Sequence, residues 1–127
     1  MSYYFSKTLS VPFDEAIACV TDELKKEGFG VLTEIDVKET LKKKLNVDFH
    51  RYKILGACNP PFAYQALQAE DKIGTMLPCN VIVQETTGGI EVAAVDPIAS
   101  MAAVENPKLA EVAGQVQAKL KKVIESL

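Results

Sequence analysis

Residues 79–96 read CNVIVQETTGGIEVAAVD, and the architecture of the chain turns on how they fold. Two strand-like runs flank Thr87-Gly88-Gly89. Glycine permits the positive φ that hairpin turns need, so the stretch is predicted to be a β-hairpin. Cys79, Val81 and Val83 then share one strand face, which places Cys79 in the core as a small hydrophobe. Asp96-Pro97 closes the second strand and can open a short helical turn.

Beyond the hairpin lies the clearest helix of the sequence. Asn106-Pro107 is a good cap followed by a good first residue. Leu109, Val112, Val116, Leu120, Val123 and Leu127 make one stripe, with Lys108, Glu111, Lys119, Lys121 and Glu125 off it. Before the hairpin, PPFAYQALQAE (60–70) reads as a helix with Phe62, Ala66 and Leu67 as core contacts. RYKILGAC (51–58) reads as a strand whose Ile54 and Leu55 point to burial on both sides.

Further back, Asp36 and Glu39 resemble a capping pair that opens DVKETLKKKL. Val37, Leu41 and Leu45 give that helix a narrow stripe, and Asn46 is its expected stop. GVLTEIDV (30–37) is the second strand. The first helix carries Phe13, Ile17, Val20 and Leu24, with Pro12 in its opening turn and Gly28 to end it in the left-handed conformation. In the first strand Tyr3, Phe5, Leu9 and Val11 oppose Ser6, Thr8 and Ser10, with Lys7 as the exception. The order is strand, helix, strand, helix, strand, helix, hairpin, helix. This predicts an α+β domain over residues 1–127: a largely antiparallel, five-stranded sheet with helices mainly on one face.

Composition narrows the function classes. The net charge is −3, and the densest basic run, Lys42-Lys43-Lys44, lies in a helical pattern where it reads as a solvated face, so no nucleic-acid partner is expected. No apolar run approaches about 18 residues, so no membrane span is expected. The N-terminus lacks the pattern of a secretory signal. Cys19, Cys58 and Cys79 are odd in number and widely spaced, which points away from a disulfide framework and toward the cytoplasm.

The chemistry concentrates at Cys58-Asn59-Pro60-Pro61. Asn59 is a strong helix cap, and Pro60 is favoured immediately after it. A cysteine beside a helix N-terminus can be activated by the helix dipole, but Pro60 and Pro61 remove two backbone N–H groups that would face an anion there. A structural cap with a small cysteine is the preferred reading, and a ligand-facing or redox thiol is the alternative. Cys19 lies on the flank of its helix, partly exposed. His50, the only histidine, reads as a surface residue beside Arg51; a soft-metal site of Cys58, Cys79 and His50 is the alternative if the fold gathers them. There is no Cys-x-x-Cys, no Gly-x-Ser-x-Gly and no complete Gly-x-Gly-x-x-Gly. No catalytic residue and no cofactor are assigned, and Asp36 and Asp96 read as helix caps. The candidate ligand-binding set is Tyr52, Cys58, Asn59, Pro60, Cys79 and Asn80. The balance favours a binding module for a small molecule or protein partner over an enzyme. Tyr4, Leu32 and Ile82 lie on strand faces opposite the core sets, and together they would make an apolar patch for self-association.

The segments KEGFGVLTEIDVKETLKKKLNVDF (26–49), ILGACNPPFAYQAL (54–67) and GTMLPCNVIVQE (74–85) resemble the small bacterial and archaeal family called domain of unknown function 302. The most specific elements are Gly28-Phe29-Gly30-Val31, Cys58-Asn59-Pro60 and Leu77-Pro78-Cys79-Asn80. The resemblance covers nearly the whole chain. It implies a compact α+β fold similar to the TATA-binding-protein-like class, and a homodimer. It implies no activity and carries over no catalytic residue.

Overall fold

In the computed structural model, which describes residues 2–127, the hairpin is built as β4 (Cys79–Thr86) and β5 (Gly89–Val95). The two strands pair antiparallel, from Val81 opposite Ala94 to Thr86 opposite Gly89. Gly89 has a φ of 137°, and a Cβ there would lie 2.6 Å from the carbonyl oxygen of Leu9. Both the backbone conformation and the space therefore require glycine.

The hairpin fills the middle of a five-stranded sheet in the order β1-β5-β4-β3-β2, every neighbour antiparallel. β1 (Tyr4–Leu9) lines β5, while β3 (Tyr52–Cys58) and β2 (Gly30–Asp36) extend the other side. The strands at the two edges thus run the same way, and α1 (Phe13–Lys26) is the crossover that joins them. It packs against β2, β4 and β5, and α5 (Pro107–Glu125) packs against β1, β5 and α1. α3 (Pro60–Ala69) rests on α5, and a 3₁₀ turn over Asp71–Met76 carries the chain to β4. α4 (Pro97–Ser100) also packs on α5, while α2 (Val37–Leu45) lies against β2 and β3.

The core lies between the sheet and the α1/α5 layer. Inward positions of the strands bring Leu55, Ala57, Cys79, Val81, Val83, Ile90, Val92 and Ala94 against Phe13, Ala16, Val20 and Leu24 of α1. From α5, Leu109, Val112, Val116, Leu120 and Val123 are all buried, as the periodicity predicts, and Leu127 is half-buried beside them. The helix begins as expected: Asn106 Oδ1 accepts from Lys108 N at 3.1 Å. Asp96 Oδ1 caps α4 from Ile98 N at 3.0 Å.

Lys7 breaks the β1 pattern for a reason 118 residues away. Its Nζ donates to the Glu125 carbonyl at 3.4 Å, and also to the carbonyl of Leu127. The final carbonyls of α5 have no partners inside the helix and carry its negative dipole end, so an inward lysine suits them.

Three expected core contacts move outward; Tyr3, just before β1, is 69% exposed. α2 has no buried residue, and Leu45 is 66% exposed. The helix is specified by its ends instead: Asp36 Oδ1 accepts from Glu39 N at 2.9 Å, and Asn46 takes φ 54°. Leu67 of α3 is exposed as well, because α3 packs mainly on α5 and turns Ala66, not Leu67, into the core. Ile54 is half-buried while Leu55 is 1% exposed, so only one face of β3 is sealed.

Burying a large aliphatic side chain contributes about 1.5–3 kcal/mol, and domains are stable by about 5–15 kcal/mol in total. Truncation after Asn106 removes the five buried aliphatics of α5's stripe and should abolish the cooperative transition followed by circular dichroism. A soluble truncation that melts cooperatively would contradict this.

Candidate functional site

β3 ends at Cys58, and Asn59 occupies the N-cap of α3 with φ −104° and ψ 99°. The expected cap hydrogen bond is not made. Cap side chains accept from the second or third N–H of the helix; Pro61 at the second position has none, and the N–H of Phe62 at the third is not taken. The Asn59 side chain turns away and its Nδ2 donates to the carbonyl of Glu27 at 3.0 Å. Glu27 ends α1, so this bond satisfies a carbonyl at a helix C-terminus. Gly28 follows at φ 86°, and a Cβ there would stand 3.1 Å from Asn59 Nδ2. The glycine thus supplies both the turn and the room for the amide.

Glu27 also reaches the third helix of this corner. Its carboxylate lies 3.8 Å from Lys119 Nζ and 3.5 Å from Lys122 Nζ on α5. The far end of α3 is held in a similar way. Asn106, the cap of α5, donates from Nδ2 to the carbonyl of Ala69 at 2.7 Å. α3 is therefore pinned at both ends by asparagine amides.

Between these pins the helix does not close onto its neighbours. The inner side of α3 offers Ala63 and Ala66, and α5 answers with Ala113. A cavity of 290 Å³ remains, floored by Phe29, Ala57 and Cys79 and bounded by Val112 and Val116. Cys58 and Asn59 stand on its wall. Leu32 and Leu67 also line it but are exposed, which puts them at the mouth. Leu32 reaches there because the β2–β3 register shifts between Val31 and Thr33. It is thereby absent from the patch that the sequence assigned to Tyr4, Leu32 and Ile82.

Among the lining residues only Asn59 has a nitrogen or oxygen in its side chain, and none is charged. Asn59 is 8% exposed. Its Oδ1 accepts no hydrogen bond from the described residues. Burial pushes the Cys79 thiol up from 9.0 to about 11, with the neighbouring Cys58 adding to the effect. Cys79 is therefore a neutral thiol at physiological pH. Cys58 is half-buried and Cys19 is exposed on α1.

The six candidate ligand residues divide between two places. Cys58, Asn59 and Cys79 meet at the cavity. Tyr52 and Asn80 lie on the other face of the sheet, in a shallower hollow shared with Tyr3, Tyr4, Ile82 and Glu91. There the Tyr52 phenol is raised by burial and then by Glu91. Pro60 is exposed at the start of α3 and lines neither place. His50 accompanies Tyr52 at the opposite end of β3 from Cys58; its Nε2 lies 2.9 Å from Gln84 Oε1, and its ring is 4.1 Å from that of Phe49. Among the described residues no three His, Cys, Asp or Glu side chains are grouped to hold a metal ion.

The α5 and Phe29 walls went unassigned by sequence because large aliphatics at helical spacing read as core. The available signal was the alanine-rich inner side of α3, where small residues leave volume unfilled.

Fold and site together define an α+β domain with an open, five-stranded antiparallel sheet, helices against it, and an apolar cavity under a helix beside the sheet. The family profile described as "Domain of unknown function DUF302" matches residues 5–127, and the chain belongs to that family. It is similar to an uncharacterized conserved DUF302 protein of Bacillus stearothermophilus, whose crystal structure it matches with a TM-score of 0.91. The two are 28% identical over 98% of each chain. No curated protein matches.

The contact of Asn59 with Glu27 can be separated from capping by one substitution. Asp is as good a cap as Asn, but an ionised Asp cannot donate to a carbonyl. Asn59→Asp should therefore destabilise by about 1–3 kcal/mol in denaturant titration, the range for stranding a buried polar group. Unchanged stability would restore the capping role.

Cys79 gives a pH signature. The folded chain keeps a proton that the unfolded chain sheds, so stability should fall as pH rises from 9.0 toward about 11. Cys79→Ala should lose less stability over that interval than the parent protein in parallel urea titrations. Equal losses would show that the thiol does not contribute.

Proposed function

We propose that this chain acts by binding, holding a small apolar molecule in the cavity between α3, α5 and the end of the sheet. The observation that carries the reading is the cavity: 290 Å³ of space walled by carbon and sulfur, with a single side-chain amide. An apolar cavity of roughly half that volume stays dry and takes up benzene, so one of this size has room for a two-ring molecule. The chemistry around it favours binding over reaction. Cys79 is held as the thiol, and His50 lies at the far end of β3.

The same reading makes the protein a homodimer in the cytoplasm. The other face of the sheet supports the first part. Ile35 is 48% and Tyr4 41% exposed there, and Ile54 and Ile82 are half-buried between them. A second copy set on this face would cover them by a symmetric contact. Three free cysteines fit a reducing compartment. No helix of the described residues is long and apolar enough to cross a membrane.

Methyl NMR tests the cavity. Naphthalene should bind saturably and shift Leu109, Val112 and Val116, and Ala63→Leu should remove the effect while the protein still melts cooperatively. Absence of binding, or binding indifferent to Ala63→Leu, would overturn the reading. Sedimentation in the micromolar range should show a dimer, and monomer alone would count against the assembly.

A further inference from the structure

The face of the sheet turned away from the core carries its own hollow, of 430 Å³. Its floor is apolar, from Ile82 of β4 and Ala93 and Val95 of β5. Its rim is aromatic. Tyr4 comes from β1 and Tyr52 from β3, with β5 and β4 between them. Tyr3 joins Tyr4 with ring centroids 5.1 Å apart and planes at 73°, so the two rings make a corner. Glu91 is the only charged residue in the lining, and it is half-buried. No lysine or arginine of the described residues pairs with it. Its side-chain donor is neutral: Gln84 Nε2 donates to Glu91 Oε1 at 2.8 Å. Gln84 is held in turn, since its Oε1 lies 2.9 Å from His50 Nε2. The Tyr52 phenol is pushed up by burial, then by Glu91 and Tyr3, which puts the three in one electrostatic neighbourhood.

These features converge on one kind of occupant. A half-buried carboxylate without a counter-charge favours a cation beside it. Aromatic rings attract cations too, most strongly where the cation sheds its water easily. A hard metal ion fits poorly, because it needs several oxygen ligands, and no three His, Cys, Asp or Glu side chains of the described residues are grouped to hold one. The apolar floor suits alkyl groups better than a bare, strongly hydrated ammonium. We infer that this hollow is a binding site for an alkylated ammonium ion, its charge beside Glu91 and its alkyl groups against the tyrosine rings and the floor. The site is separate from the cavity under α3, and neither depends on the other.

Choline tests the site, with the alcohol in which carbon replaces the choline nitrogen as its neutral counterpart of the same shape. Both are titrated near neutral pH while the methyl signals of Ile82, Ala93 and Val95 are followed by NMR. Choline should bind saturably and about tenfold more tightly than the alcohol. Glu91→Gln keeps the size of the side chain and should weaken choline by about fivefold, leaving the alcohol unchanged. Ile35→Glu is titrated in parallel. Ile35 is 48% exposed on the same face and lies outside the hollow, so this change removes the proposed dimer contact and spares the site. Binding to Ile35→Glu alone would support the site and place it under the second copy. No choline binding to either protein would overturn the inference. So would an alcohol that binds as tightly as choline, or a choline affinity indifferent to Glu91→Gln. The comparison of choline with the alcohol needs no variant, so it decides the matter even where a substitution disturbs folding.

Discussion

The hydrogen bond from Asn59 to the Glu27 carbonyl is the contact on which the corner around α3 depends. α1 and α5 are the helices that fill the space against the core of the sheet. α3 must therefore sit beside them and cannot gain its place by packing on strands. It is positioned by its ends, through Asn59 at the start and Asn106 at the finish. A helix fixed in this way need not fill the space beneath it. Alanines at 63 and 66 are tolerated there, and the cavity is the result. The Glu27 carboxylate strengthens the same corner by facing Lys119 and Lys122, although these lysines are substantially exposed and each contact contributes little by itself.

The molecule thus presents two surfaces of different character. One is the cavity, walled by carbon and sulfur, open at Leu32 and Leu67, and narrow in its polar chemistry. The other is the broad face of the sheet bearing Tyr4, Tyr52, Ile54 and Ile82, with Gln84 donating to Glu91 at 2.8 Å across β4 and β5. Leu32 separates them. The register shift in β2 sends this side chain to the cavity mouth and leaves Ile35 on the sheet face. A single irregularity in an edge strand therefore assigns apolar residues to one surface or the other. DUF302 membership agrees with the fold, which a DUF302 protein of Bacillus stearothermophilus shares.

Several local signals in the sequence, each set by neighbouring residues, are met in the structure. The glycine turn of the hairpin, the αL stop at Asn46, the cap at Asn106 and the stripe of α5 all depend on residues a few positions apart, and all appear in the structure. Long-range partners were invisible. Lys7 looked like an error in β1 until the end of α5 supplied its acceptors. Asn59 carries every mark of a cap, yet its amide is taken by Glu27, 32 residues earlier. α2 has an apolar stripe and still buries nothing, because periodicity cannot say whether a second layer lies over that edge. Of the candidate residues, Cys58, Asn59 and Cys79 line the cavity, but no segment of sequence announces the space itself. A cavity is defined by what several elements fail to fill, and no single segment records it.

The central claim is that α3 is held by its ends over a pre-formed apolar cavity. A crystal structure under xenon pressure tests this directly, since xenon enters empty apolar space and has no polar preference. The account predicts xenon between Ala63, Ala66, Val112 and Ala113, with the Asn59 amide still on the Glu27 carbonyl. α3 collapsed onto α5 with no xenon beneath it would contradict the account.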